Sequence, residues 1–284
     1  MKRKPTTTKL SCKTVPPADN QEVLKRLKES AVRGELVVVI GTGVSMALTN
    51  ATLPALSWKG LIKDGFTYGV KKGKITKEQE KAWGSQLDSS DIDDLLCAAE
   101  FVTRKLDAPN GILYTRWIEN TLKNIKPANP KLESALGQLT KAKVPICTLN
   151  YDRLLEVVTG SEGITLNDTV RVASWMRREL PGVLHLHGSS EAPATCVLGI
   201  RDYETTLENE VRDLIQRSLA SFRRLLFIGC GDTFADPNFC ALIKWLRKKM
   251  KLDMQLTQPA TTSCGWTIVD RGFGAVTTAS CASL

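Results

Sequence analysis

Nowhere in the chain do about 18 apolar residues run together, which excludes a membrane-spanning helix. No apolar stretch follows the basic start Met1-Lys2-Arg3-Lys4-Pro5 either, so a secretory signal is not expected. The eight cysteines stand at positions 12, 97, 147, 196, 230, 240, 264 and 281, with no regular spacing and no Cys-x-x-Cys pair. In a chain of 284 residues that pattern excludes a disulfide framework and reads as reduced thiols of an intracellular protein, in cytoplasm, nucleus or both. Histidine is scarcer still: His185 and His187 are the only two. There is no internal repeat.

The composition is that of an ordinary globular chain, 42% hydrophobic and 24% charged, long enough to bury a sizeable core. A net charge of +9 raises the question of nucleic acid, and its distribution answers it. Residues 1–33 hold nine Lys/Arg against three acids, and Lys244–Lys251 adds five cations with no acid, leaving the rest close to balance. The excess therefore sits in a tail and at one helix end, where cations suit the helix dipole, rather than across a central face. A nucleic-acid or nuclear-targeting role for the N-terminal arm is the alternative.

Residues 1–19 are rich in Thr, Lys and Pro without apolar periodicity and are expected to be disordered. From Asn20 to Val32 the apolar positions Val23, Leu24, Leu27 and Ala31 recur at helical spacing, and Gly34 ends the helix. Leu36-Val37-Val38-Val39-Ile40 is an unbroken β-branched run, the pattern of a strand buried on both faces of a parallel sheet. Between 46 and 140 no such run appears; helical patterns at 91–106, 112–124 and 130–141 predict a helical insertion after the first strand. Strand character returns at 144–149, 183–186, 196–198 and 225–228, with helices expected over 203–223 and 236–250. Residues 253–284 are rich in Thr, Ser, Ala and Gly, show no sustained period, and are expected to form a poorly ordered, atypical tail. The fold class is thus α/β: a Rossmann-like parallel sheet with helices on both faces over residues 20–252, and a helical insertion at about 46–140.

Four short motifs each follow a strand, where an open parallel sheet places its ligands. Gly41-Thr42-Gly43-Val44-Ser45 can bring backbone N–H groups to a pyrophosphate, or can simply make a tight turn. It fails as a dehydrogenase fingerprint, because Met46 stands at the third glycine position. Asn150 and Asp152 share one side at a two-residue spacing, although Asp152 can equally cap the helix that follows. His185 and His187 alternate along a short strand. No neighbouring Cys or carboxylate motif completes a metal set, so the pair reads as one structural histidine and one working histidine, His187 beside Gly188. Gly229-Cys230-Gly231-Asp232 suits close approach of a sugar or base, with Asp232 or Asp236 accepting ribose hydroxyls or capping a helix near Pro237.

In this order, and over about residues 34–250, the glycine turn, helical insert, Asn-x-Asp, His-Gly and Gly-x-Gly resemble the sirtuin superfamily. The closer likeness is to its SIR2-like branch, which includes bacterial NAD-consuming antiviral domains and the animal proteins named family with sequence similarity 118. The segments Leu53–Leu61 and Leu198–Tyr203 resemble that branch's Pro…Trp…Leu and Asp-Tyr segments. Protein-deacylating sirtuins carry a four-cysteine zinc module, a Pro-Asp-Phe-Arg after the glycine turn and a Phe-Gly-Glu after His-Gly. This chain has none of the three, which argues against deacylation and against zinc.

The resemblance implies NAD⁺ as substrate and cleavage of nicotinamide from ADP-ribose, with base exchange or cyclisation using the same residues. It implies Gly41, Thr42, Gly43 and Ser45 on the pyrophosphate, and Asn150 orienting the nicotinamide ribose or the attacking water. Asp152 would meet the nicotinamide amide, His187 would accept a proton, and Gly229, Gly231 and Asp232 would meet the adenosine end. Related domains often form homo-oligomers, so assembly is expected here too. The alternative is an NAD- or ADP-ribose-binding, self-assembling sensor or scaffold without turnover.

Overall fold

A computed structural model describes residues 20–89, 91–208, 224–230, 265–269 and 276–280. In chain order the helices and strands are α1 (Asn20–Val32), β1 (Leu36–Ile40), α2 (Thr42–Leu48), α3 (Trp58–Lys71), α4 (Lys77–Gly84), α5 (Ile92–Lys105), α6 (Ile112–Leu122) and α7 (Pro130–Lys141). They continue with β2 (Ile146–Thr148), α8 (Leu154–Thr159), β3 (Gly163–Thr165), α9 (Thr169–Met176), β4 (Val183–His185), α10 (Ile200–Glu208), β5 (Arg224–Ile228), β6 (Gly265–Val269) and β7 (Val276–Ser280).

The sheet runs in the order β3-β4-β2-β1-β5-β6-β7. Its first five strands are mutually parallel, with Val38 opposite both Ile146 of β2 and Leu226 of β5. β1 is buried throughout, and the two-residue side-chain period divides it cleanly. Leu36, Val38 and Ile40 join the core formed with the helical insertion, beside Leu61, Phe66, Val102 and Trp117. Val37 and Val39 join the opposite core with Cys147, Leu184, Phe227 and, from α9, Val172 and Trp175. Both faces are therefore covered, as the β-branched run requires.

Four helices of the insertion start on side chains that accept the otherwise unpaired N–H groups of a first turn. Ser57 caps α3, Thr76 and Gln79 form a capping box on α4, Asp91 caps α5, and Asn129 followed by Pro130 starts α7. At the other end of the N-terminal helix, Gly34 takes a left-handed conformation (φ +71°) and returns the chain to β1.

The structure differs from the sequence expectation in four places. Cys196–Leu198, expected as a strand, is an irregular segment, though fully buried. Its single ladder-like bond, Val197 N–H to the His187 carbonyl at 3.0 Å, is not continued. A three-residue apolar run between Pro193 and Gly199 signals burial but is too short to specify pairing. Conversely, β3 and α9 were not anticipated, because Gly163-Ile164-Thr165 holds one apolar residue and α9 carries two arginine neighbours. The helix expected over 203–223 starts earlier, at Ile200, and its described part ends at Glu208; the helix at 236–250 lies outside the described residues. Finally, β6 and β7 fall within the stretch expected to be poorly ordered. They extend the sheet antiparallel from β5, with Leu226 opposite Ile268.

Candidate functional site

β1 is where the winding reverses: β2, β4 and β3 lie in that order on one side of it, and the chain then returns to place β5 on the other. Open α/β sheets leave a crevice at the carboxyl ends of such strands. The loops after β1, β2, β4 and β5 carry Gly41–Ser45, Asn150–Asp152, His187-Gly188 and Gly229-Cys230. All four motifs therefore lie along one edge of the sheet. Gly231 and Asp232 lie outside the described residues.

The loops after β1 and β5 touch backbone to backbone. Gly41 N–H donates to the Ile228 carbonyl at 2.9 Å and Gly43 N–H to the Gly229 carbonyl at 2.8 Å. A Cβ on Gly41 would meet the Gly229 carbonyl oxygen at 2.5 Å, and one on Gly229, itself at φ +67°, would meet the Val44 nitrogen at 2.6 Å. The glycines thus let two strand ends close on each other, and two of the turn's N–H groups are spent in doing so. Thr42, the first residue of α2, has neither of its donors bonded among the described residues.

Beside this turn, Asn150 is buried and held at nearly every polar atom. Its N–H donates to Thr148 Oγ1 at 3.0 Å, and that hydroxyl donates to the Ile40 carbonyl at 3.0 Å. Its side-chain Nδ2 donates to the Gly41 carbonyl at 3.1 Å and to Ser45 Oγ at 2.8 Å. Ser45 Oγ in turn donates to Asp152 Oδ2 at 2.7 Å. A carbonyl can only accept, and the Ser45 proton is committed to Asp152, so the network itself fixes which end of the Asn150 amide is nitrogen. Oδ1 is left buried and without a partner among the described residues. Asp152 has both oxygens engaged, Oδ1 accepting the Leu154 N–H at 3.0 Å at the start of α8, a helix-capping arrangement.

On the other side of the same loop, His185 is wholly buried, its Nδ1 2.9 Å from the Asn150 carbonyl and its Nε2 2.8 Å from Glu156 Oε1. Burial, the largest influence, would lower the His185 pKa. The hydrogen bond and charge of Glu156, the Asn150 carbonyl and the Asp152 charge together outweigh it, and the net shift is upward. Burial also raises the Asp152 carboxyl above its ordinary value, against the pull of the Leu154 and Ser45 hydrogen bonds. Both ring nitrogens of His185 are therefore bonded within the protein.

His187, also buried, stands past the end of β4 with its ring edge-on to Tyr203 of α10, centroids 6.4 Å apart. Its carbonyl accepts the Val197 N–H, and the Val197 carbonyl accepts the Tyr151 hydroxyl at 2.6 Å. Asp202 Oδ2 accepts the N–H groups of Leu198 and Gly199, at 3.0 and 2.9 Å, at the start of α10. Tyr203, at the end of the Leu198–Tyr203 segment, thus packs on His187.

Gly41, Ser45, Asn150 and Asp152 are joined in one hydrogen-bonded network, with Gly43 and Gly229 in the adjoining turn contact. His187 is tied to the Asn-x-Asp loop through Tyr151 and Val197. Sequence reasoning missed Thr148, Tyr151 and Glu156. Only Glu156 carried a signal, as a lone acid inside the apolar run Leu154–Val158.

The family model of the SIR2-like domain matches residues 145–269. That span begins just before β2 and ends with β6, so it contains the Asn150–Asp152, His187-Gly188 and Gly229–Asp232 motifs, with the glycine turn and the helical insertion ahead of it. The match supports an NAD-related function in general. The matched residues carry three of the four motifs at the switch point of a Rossmann-like sheet, so this part of the chain is similar to a SIR2-like domain.

Proposed function

We propose that the protein is an NAD⁺ glycohydrolase, cleaving the bond between nicotinamide and ribose C1′. The observation that carries this reading is Asn150 Oδ1, a buried acceptor with no partner among the described residues, in a network otherwise closed. Leaving such an atom unpaired costs about 1–3 kcal/mol, which a ligand hydroxyl or an ordered water would offset. A ribose hydroxyl or the attacking water is such a donor.

The chemistry asks little of acid catalysis, because nicotinamide leaves as a neutral base from a cationic precursor. The C1′–N bond breaks with its electron pair departing on nicotinamide, water oxygen bonds to C1′, and the water proton passes to His187. The site has to bind the dinucleotide, orient the water and stabilise the oxocarbenium-like centre. Asn150 orients through Oδ1. An imidazole is the side chain most often used as a general base, which is the role His187 takes. Asp152, with both oxygens engaged, holds Ser45 and through it the Asn150 amide. In the glycine turn the pyrophosphate meets Thr42, the residue with unspent donors. Gly229, Gly231 and Asp232 take the adenosine end, by resemblance.

The test is product analysis of NAD⁺ turnover by purified wild type and Asn150→Ala, with thermal unfolding as the control for folding. Wild type is expected to yield nicotinamide with ADP-ribose or its cyclic form. Asn150→Ala is expected to lose at least about 10²-fold in rate, the scale for removing one preorganised polar group from a buried site. Equal rates in a folded variant would refute the site. Absence of turnover in wild type, with NAD⁺ still raising thermal stability, would leave the sensor or scaffold reading in its place.

A further inference from the structure

We propose that Glu156 and His185 are the positioning pair of this site, locking the Asn150 peptide so that Oδ1 faces the substrate. The inference rests on the NAD-cleaving reading. The Asn150 carbonyl can only accept, so the proton of that contact lies on His185 Nδ1. His185 Nε2 and Glu156 Oε1 then share the second contact, as imidazolium and carboxylate or as a neutral pair with the proton on the acid. In both forms the ring is fixed at two points and the Asn150 peptide is fixed through it.

Three features indicate that the pair serves Asn150 rather than packing alone. An apolar pair of similar shape would fill the same volume without the desolvation cost of a buried carboxylate. Among the described residues Glu156 Oε2 is buried and unpartnered, and the bond to the ring is the one that the carboxylate makes. Gly163 on β3 leaves the room for it, since a Cβ there would lie 2.8 Å from Glu156 Oε1. Thr148 fixes the Asn150 N–H, Gly41 and Ser45 fix its amide nitrogen, and His185 fixes its carbonyl. The only direction left to Asn150 is that of Oδ1. Partners that orient metal ligands are worth about 10–100-fold in affinity or activity, and a loss of the same order is expected of a pair that orients Asn150.

The experiment compares His185→Asn with His185→Gln. An asparagine amide reaches the position of Nδ1 and keeps the bond to the Asn150 carbonyl; a glutamine amide reaches the Nε2 side and does not. Two readouts are taken on folded protein: kcat and KM for nicotinamide release, and the side-chain amide signals of Asn150, identified by their loss in Asn150→Ala. His185→Gln is expected to lose about 10–100-fold in kcat with little change in KM and to shift the Asn150 signals. His185→Asn is expected to restore most of both, and Glu156→Gln, which preserves a hydrogen bond to the ring, to leave the signals near their wild-type positions. Equal losses in the two histidine variants, or wild-type kcat in His185→Gln, would overturn the proposal. If wild type releases no nicotinamide, the NAD-cleaving reading has failed. The Asn150 signals then decide alone: moved by Gln and restored by Asn supports the pair, unmoved by both refutes it.

Discussion

Every polar atom of Asn150 but Oδ1 is bonded within the protein, and Ser45 is the hinge of that arrangement because it accepts from Asn150 while donating to Asp152. Ser45→Ala removes both bonds and adds nothing in their place. It is expected to destabilise the fold by about 1–3 kcal/mol, measured by urea unfolding, since a buried amide and a buried carboxylate each lose a partner. An unchanged unfolding midpoint would contradict the network. At this scale the strand-end positions of Asn150, Asp152 and His187 were readable from sequence, because a polar residue directly after an apolar strand has few reasons to be there. Their division of labour was not. Whether Asp152 caps a helix or meets a ligand depends on Ser45, over a hundred positions away, and that distance is closed only by the sheet.

Two strand-end loops in backbone contact make the site an assembly of elements rather than a single motif. Gly229→Ala would place a methyl group 2.6 Å from the Val44 nitrogen while holding a left-handed φ. The expected cost is about 1–3 kcal/mol from steric crowding, with weakened NAD⁺ binding as the loops part. Unfolding and NAD⁺-induced thermal shift check the two effects, and an unperturbed variant would mean that the loops are not in contact. The long elements were legible: α1 and β1 have the bounds that their periodicity implies, and the glycine turn sits where the buried run ends. The short ones were not. β3 holds a single apolar residue and is a strand because β4 offers it an edge, whereas Cys196–Leu198 has three apolar residues and is not a strand because no neighbour completes a ladder.

For the molecule as a whole, both shifted groups of the network act on stability with the same sign. His185 and Asp152 have pKa values raised above 6.5 and 3.8, so over each window the folded state holds more protons than the unfolded. Stability therefore falls as pH rises. The Asp152 contribution is fully present below its unfolded value and is lost as pH climbs through its raised folded value. The His185 contribution is fully present below about pH 6.5 and is lost as pH rises through its folded value. Glu156→Gln removes the principal cause of the upward shift at His185, and its unfolding free energy is expected to depend less on pH above neutrality than that of wild type. Parallel curves would contradict the assignment of that charge.

The α/β class, with parallel strands covered on both faces, followed from the double-sided burial of β1. The antiparallel strands β6 and β7 did not, because a Thr- and Ser-rich stretch acquires its pairing from the edge that β5 presents. The most direct test of the central claim is nicotinamide release from NAD⁺ by purified protein at several concentrations, beside His187→Ala. The expected result is release by wild type, lost in the folded variant, with a rate per molecule that climbs with protein concentration if assembly gates the site. Undiminished release by His187→Ala, or none from wild type at any concentration, would contradict it.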